Sequence, residues 1–303
     1  MRYSNNFLSL SSKKYDYKNI VSFNRTYYKV EYLDPKNKKS KGGNSSVFRL
    51  INPNNLQEFV IKFLKFPSDS MKAFDIKQNI RFENEITALY EAKSNQFENV
   101  ITIFFDGVKN ISGFEFRYYV MQKANYDLNS YLQKETIPLN QKILLSYEIL
   151  KGINELHSID LYHRDIKPDN IFIFIENDKF KYKVGDLGLS VKGNRDLTKI
   201  EYREKIGPYG WLSPEVTNKV LCEGTDLEKI YDCKIDFKSD VFQLGKLIWF
   251  IFQGNIPIGQ IRYSDFAIGN KSIYRLILNM IQYKKDRRNE LTYFVDEFAN
   301  LNS

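Results

Sequence analysis

Asp165, Lys167 and Asn170 stand together in the stretch His163-Arg164-Asp165-Ile166-Lys167-Pro168-Asp169-Asn170, with apolar runs on both sides. An acid, a base and an amide set this close suit phosphoryl transfer. The carboxylate takes the proton of a hydroxyl nucleophile, the lysine balances phosphate charge, and the amide oxygen holds a divalent metal. Farther on, Asp186-Leu187-Gly188 offers a second metal-seeking carboxylate on a tight turn. The apolar run before the stretch reads as a helix and the one after it as a strand.

The order and spacing of these two motifs resemble the catalytic loop and the magnesium-binding turn of the eukaryotic-type protein kinase family. The resemblance covers about residues 27 to 298. It implies an α+β, two-lobed fold, with a small antiparallel β-sheet lobe carrying one helix, a larger mainly helical lobe, and nucleotide held in the cleft. The boundaries it implies are an N-terminal arm over 1–26 and a kinase domain over 27–303, divided into a small lobe 27–121, a hinge 122–124 and a large lobe 125–303. By the same resemblance ATP and Mg2+ are the cofactors. Asp165 orients and deprotonates the acceptor hydroxyl, Lys167 supports the departing charge, and Asn170 and Asp186 hold the metal.

Positioning these groups falls to the elements around them. Tyr27 to Leu33 alternates as a strand does, and Ser40-Lys41-Gly42-Gly43-Asn44-Ser45 follows. In the family a glycine-rich hairpin here covers the nucleotide phosphates with backbone N–H groups, since glycine lets the chain approach the oxygens. Gly42 matches the middle glycine, Gly43 follows it, and Ser40 and Ser45 stand where the family has its outer two. Next, Glu58 to Leu64 is an apolar β-rich run with Lys62 inside it, where an unpaired ammonium would be costly. Lys62 matches the family lysine that contacts the α- and β-phosphates. Ile80 to Lys93 reads as a helix with Phe82, Ile86 and Leu89 on one face. Glu85 shares that face and Glu83 does not, so Glu85 is the expected partner of Lys62. Strands are expected at Val100–Phe105 and Phe114–Met121. The resemblance makes Met121 the gatekeeper beside adenine, Gln122 and Ala124 the hinge residues whose backbone pairs with it, Val47 and Val60 its roof and Phe172 its floor.

The larger part begins with a short helix after Asp127. A longer one follows over about Asn140 to His157, burying Leu145, Ile149, Ile153 and Leu156. His157 and His163 read as core residues rather than metal ligands or bases. His163 joins Leu89, Leu187 and Asp240 in a set that resembles the family's regulatory spine. A hairpin, Ile171–Ile175 with Lys181–Val184, leads into Asp186. The loop from there closes at Ser213-Pro214-Glu215, and the resemblance pairs Glu215 with Arg288. Asp240 opens an apolar helix through Phe252 and is placed to accept N–H groups from the catalytic loop. One or two helices are expected between Ser272 and Phe298.

The substrate-side residues point two ways. Lys167 resembles the serine/threonine-specific branch, whereas Gly207-Pro208-Tyr209-Gly210-Trp211 is closer to the tyrosine-specific one. Lys167 lies nearer the chemistry, so protein serine and threonine hydroxyls are the expected acceptors, with tyrosine or dual specificity the alternative. A pseudokinase scaffold would have lost Lys62, Asp165 or Asp186, and all three are present. In the family an arginine beside the catalytic acid can bind a phosphate on the activation segment, so the resemblance implies such a phosphate for Arg164, with Thr198 first and Tyr202 second as acceptors. The +8 charge on 303 residues comes from lysines spread through the chain, which implies a solvated basic surface rather than a nucleic-acid interface. Cys222 and Cys233 are too few for a disulfide framework. The longest apolar runs, Val100–Phe105 and Leu247–Phe252, are too short to span a membrane. A soluble, cytoplasmic protein is expected.

Overall fold

A computed structural model of the protein describes residues 1–4, 7–34, 44–193 and 209–302. The chain divides into two compact units, one of Met1–Ser94 with Ile101–Lys123 and one of Asn95–Val100 with Ala124–Ser303.

The first unit is built on antiparallel strands. A short hairpin, β1 (Arg2–Ser4) and β2 (Phe7–Ser9), precedes β3 (Ile20–Phe23), β4 (Thr26–Tyr32), β5 (Ser45–Ile51) and β6 (Glu58–Leu64). Helix α1 (Ala73–Ser94) follows, then β7 (Ile103–Ile111) and β8 (Phe114–Gln122). Six of the strands form one sheet in the order β3-β4-β5-β6-β8-β7. Residues 1–26, expected as an arm, belong to this unit. Met1, Leu8 and Val21 are buried in the same apolar cluster as Phe48, Ile61 and Phe116. Asn19 fastens the segment: its amide oxygen accepts from Ser11 N at 2.8 Å, and its Nδ2 donates to Ser11 O at 3.1 Å.

Register decides what each face of the sheet offers. Val47, Lys62 and Tyr119 lie opposite one another across β5, β6 and β8, and Arg49, Val60 and Met121 form the next such row. Because side chains alternate with a period of two, both rows share a face. Phe48, Ile61 and Val120 occupy the opposite face, which the apolar cluster fills.

The second unit is mainly helical. It begins with β9 (Tyr126–Asp127), α2 (Leu128–Leu132), α3 (Leu139–Ser158) and β10 (Leu161–Tyr162). The hairpin β11 (Ile171–Glu176) and β12 (Lys179–Val184) comes next, then β13 (Val191–Lys192), α4 (Pro214–Cys222), α5 (Phe237–Gln253), α6 (Lys271–Met280) and α7 (Leu291–Asn302). Asp127 caps α2 by accepting from Ser130 N at 2.7 Å, and Asp236 with Ser239 forms a capping box on α5. Leu145, Ile149, Ile153 and Leu156 of α3 are fully buried. Gly152 lets this helix come close to its neighbours. A Cβ there would lie 2.5 Å from the Asn99 carbonyl oxygen and 2.9 Å from a Val184 methyl. Asn99 is held by Glu155, which accepts its N–H at 3.0 Å, and its own carbonyl accepts from Val184 N at 2.8 Å.

Candidate active site

The first unit contributes a buried ion pair. Lys62 Nζ lies 2.8 Å from Glu85 Oε1, and the two residues are 8% and 2% exposed. Tyr119, opposite Lys62 on β8, donates its hydroxyl proton to the same Glu85 oxygen at 2.8 Å. Its ring lies 5.7 Å from the ammonium. The β-rich run around Lys62 drives it into the sheet, and the helical face of Phe82, Ile86 and Leu89 brings Glu85 to meet it. A single lysine conformation in a half-dry site can then present positive charge to an anion without reorganising. Val60 and Met121 are buried on the same sheet face, and Val47 is half-buried there. Gln122 commits its N–H to Thr102 O at 3.1 Å. Ser45 opens β5, while Ser40, Gly42 and Gly43 lie outside the described residues.

Within the second unit, Asp165 lies among its own supports. Asp165 is 7% exposed. Its Oδ2 accepts from Lys167 Nζ at 2.6 Å and from Asn170 Nδ2 at 3.0 Å, and Asn170 Nδ2 also donates to Asp165 O at 2.7 Å. The other oxygen, Oδ1, is buried and has no hydrogen-bond partner among the described residues. A buried carboxylate oxygen normally finds a donor, so this one suits an incoming hydroxyl.

Five contacts outside the motif fix the loop that carries Asp165. Asp240, fully buried on α5, accepts His163 N through Oδ2 and Arg164 N through Oδ1, both at 2.8 Å, and lies 2.9 Å from His157 Nε2. Burial pushes the Asp240 carboxyl up, but the His157 hydrogen bond, the neighbouring His157 and His163 imidazoles and the Arg164 N–H outweigh it and hold it below the ordinary carboxylate range. Gln243, one turn on along α5, accepts Ile166 N at 3.0 Å and donates to Arg164 O at 3.2 Å. His163 Nε2 meets Gly185 O at 3.1 Å and its Nδ1 accepts Asp165 N at 3.3 Å, which places the ring proton on Nε2. Arg164 itself sits at φ 66°, a left-handed conformation that the surrounding bonds over-determine.

Asn170 and Asp186 are brought together by backbone pairing. Ile171 lies opposite Val184 in the β11–β12 hairpin, and Gly185 N donates to Asn170 O at 2.9 Å. Asp186 follows at φ 59° in a tight turn. With Asn170 Nδ2 turned to Asp165, the amide oxygen is on the other side of that group. One amide oxygen and one carboxylate make a hard, incomplete donor set, which fits Mg2+ completing its shell with water and phosphate oxygens. Among the described residues, no three His, Cys, Asp or Glu side chains could hold a metal by themselves.

Beyond the loop, Glu215 and Arg288 meet as expected, at 2.8 Å and 3.0 Å through both nitrogens and both oxygens. Ser239 adds a 2.7 Å bond to Glu215 Oε1. Burial raises the Glu215 carboxyl, but the Arg288 guanidinium and the Ser239 hydroxyl bring it below its ordinary range. Phe172 is half-buried on β11, and Ala124 opens the second unit. Leu89 is buried in the first unit, and His163, Leu187 and Asp240 are buried in the second. Thr198, Tyr202 and Pro208 lie outside the described residues.

Tyr119, Gln243 and the His157–Asp240 contact were not read from the sequence. Tyr119 stands two residues before Met121 on one strand, so its face was available from alternation alone. Gln243 and His157 had no such signal, because their partners are far away in the chain.

The protein kinase domain model matches residues 36–302. Among curated proteins, the chain is 24% identical over 225 residues to the serine/threonine-protein kinase mph1 of Schizosaccharomyces pombe, covering 73% of this chain and 31% of the relative. It is 26% identical over 223 residues to the mouse dual specificity protein kinase TTK, covering 73% of this chain and 24% of the relative. It is 30% identical over 151 residues to the rice serine/threonine-protein kinase/endoribonuclease IRE1, covering 49% of this chain and 15% of the relative. The chain thus spans about a third or less of the length of these relatives.

Proposed function

The chain belongs to the protein kinase domain family, and from that premise we propose an ATP- and Mg2+-dependent kinase that transfers the γ-phosphate to serine and threonine hydroxyls of proteins. The observation that carries the reading is Asp165, with one oxygen held by Lys167 and Asn170 and the other buried without a partner. That oxygen accepts the hydroxyl proton and aligns the nucleophile. Lys167, 2.6 Å from the other oxygen, is close enough to stabilise charge on the group in transfer. Lys62, fixed by Glu85, holds the α- and β-phosphates. Ser45 with Ser40, Gly42 and Gly43 covers the phosphates, Val47, Val60 and Phe172 sandwich adenine, and Met121, Gln122 and Ala124 line its edge. Asn170 and Asp186 would hold Mg2+, which supplies charge neutralisation at the phosphates. The transition state of such a transfer is loose, so positioning and electrostatics provide most of the rate gain.

Lys167 favours serine and threonine. Proline at 208 followed by Trp211 favours tyrosine, and one relative is named a dual specificity kinase. Presence of Lys62, Asp165 and Asp186 together argues against a scaffold without activity. Two free cysteines suit a reducing cytoplasm, and no helix among the described residues is long and apolar enough to cross a membrane.

The test is incubation of the purified protein with γ-labelled ATP, Mg2+ and a mixed set of acceptor proteins, followed by phosphosite mapping. Phosphoserine and phosphothreonine are expected, with a loss of about 10²-fold or more in Lys62→Met. Predominant phosphotyrosine would overturn the acceptor assignment, and no transfer with folded protein would overturn the activity.

A further inference from the structure

Glu85 Oε1 is shared by donors from two neighbouring strands. Lys62 Nζ reaches it from β6 and the Tyr119 hydroxyl from β8, each at 2.8 Å. The two donors are cross-strand partners, so one register brings both to the same oxygen. Tyr119 is 1% exposed. Phe82, three residues before Glu85 on the buried face of α1, packs on the phenol ring with 5.3 Å between centroids. That ring also lies 5.7 Å from the Lys62 ammonium. One side chain of β8 thus touches the cation, the anion and the helix that carries the anion.

A buried carboxylate has lost its hydration and takes protein donors in place of water. Two donors on one oxygen fix the direction of the carboxylate as well as its charge. The phenol is neutral and gives one proton, so it holds Glu85 without competing for a phosphate. An ammonium has three protons, so Lys62 can keep one on Glu85 and offer the others. Without the hydroxyl, Oε1 has one donor fewer and the carboxylate can turn about its last torsion. Tyr118, the next residue of β8, provides the contrast. It faces the other side of the sheet, in the apolar cluster, with its ring 5.3 Å from that of Phe63.

We propose that Tyr119 is a positioning residue for the phosphate-binding lysine, its hydroxyl fixing the Glu85 carboxylate and its ring backing the Lys62 ammonium. This role rests on the reading in which Lys62 holds the α- and β-phosphates. It adds a residue that touches no part of the nucleotide and acts through Glu85.

The test is calorimetric titration of ADP and, in parallel, of adenosine, both without Mg2+ so that the metal adds no affinity. Tyr119→Phe keeps the ring and removes the hydroxyl. It should weaken ADP about tenfold, as loss of one bond to a buried charge does, and leave adenosine, which has no phosphate, within about twofold. In a Glu85→Gln background the same change should cost ADP less than about twofold, because coupled residues are not additive. Tyr118→Phe should alter neither ligand. Tyr119→Met, which fills the space without a donor, gives the same comparison if the phenylalanine variant fails to fold. Wild-type ADP affinity in Tyr119→Phe, with Lys62→Met weakened, overturns this role alone. So does an equal loss for adenosine, or an undiminished loss in the Glu85→Gln background, either of which marks the hydroxyl as merely structural. Wild-type ADP affinity in Lys62→Met overturns the phosphate assignment of Lys62 and this role with it.

Discussion

Two buried aspartates of the helical unit carry opposite tasks. Asp240 has both oxygens filled, by His157, His163 and Arg164, and is fully buried. Asp165 has one oxygen filled, by Lys167 and Asn170, and the other without a donor among the described residues. A carboxylate whose every lone pair is engaged is an anchor, since charge-assisted bonds to backbone N–H groups hold the loop and leave nothing to react. A carboxylate with one oxygen tethered and one available keeps its orientation and still has an acceptor to offer. The anchor makes the reactive group possible, because the N–H groups of His163 and Arg164 that Asp240 holds belong to the residues just before Asp165.

Breaking the anchor should have the largest effect. Asp240→Asn replaces an acceptor of three bonds by a group that must point an NH2 at one of those donors. A loss of about 3–5 kcal/mol in unfolding free energy is expected, as for removal of one partner from a buried charged network. Activity should fall with it, and chemical denaturation with parallel rate measurements reads both. Glu215→Gln, which leaves the Arg288 guanidinium buried against a neutral amide, should cost about 3 kcal/mol. Unlike the first change, it should leave the rate per folded molecule nearly intact at low temperature.

Acid sharpens the same contrast. The folded-state carboxyls of Asp240 and Glu215 lie below their unfolded values. Their contribution is therefore fully present above the unfolded carboxyl range of about 4 and is lost as pH falls through the depressed folded values. Stability measured from pH 6 downward should drop steeply below about pH 4, and Asp240→Asn should flatten that slope. A smaller effect is expected from Gly152→Ala. Its methyl would meet the Asn99 carbonyl oxygen at 2.5 Å, and overpacking of this kind costs about 1–3 kcal/mol. Gln243→Leu leaves the buried Ile166 N–H and Arg164 carbonyl unpaired, and a comparable loss of about 1–3 kcal/mol is expected.

The meeting of Asp165, Lys167 and Asn170 was legible in the chain and the Asp240 anchor only partly so. Asp165, Lys167 and Asn170 are neighbours in sequence, so their meeting needs only a local loop. Lys62 and Glu85 could be paired because a lysine in an apolar strand and a glutamate on an apolar helical face each need a buried counter-charge. The donors to Asp240 come from α3 and from the loop, and His157, its third partner, read as an ordinary core histidine. Helix α1 begins at Ala73 rather than near Ile80 because its first turns bury Asp75, Gln78 and Asn79, polar residues that interrupt the apolar period. The run Val100–Phe105 divides: β7 starts at Ile103, while Val100 bridges Val184 in the other unit. A run of apolar residues does not record which partner each will find. The N-terminal residues, expected as an arm, include β3, which pairs with β4 from Ile20 to Phe23. Cross-strand partners, not its own period, order that segment.

The unfilled oxygen of Asp165 is proposed to do the chemistry, and the filled ones of Asp240 to hold the loop. The most direct measurement is single-turnover phosphotransfer from pre-bound ATP by wild type and Asp165→Asn, with a thermal melt of each. Asp165→Asn keeps a side chain of the same shape, so its melting temperature should stay within about 2–4 °C of wild type. Its transfer rate should fall by about 10²–10⁴-fold, the range for a positioned general base. A transfer rate close to wild type in a folded Asp165→Asn protein would contradict the account.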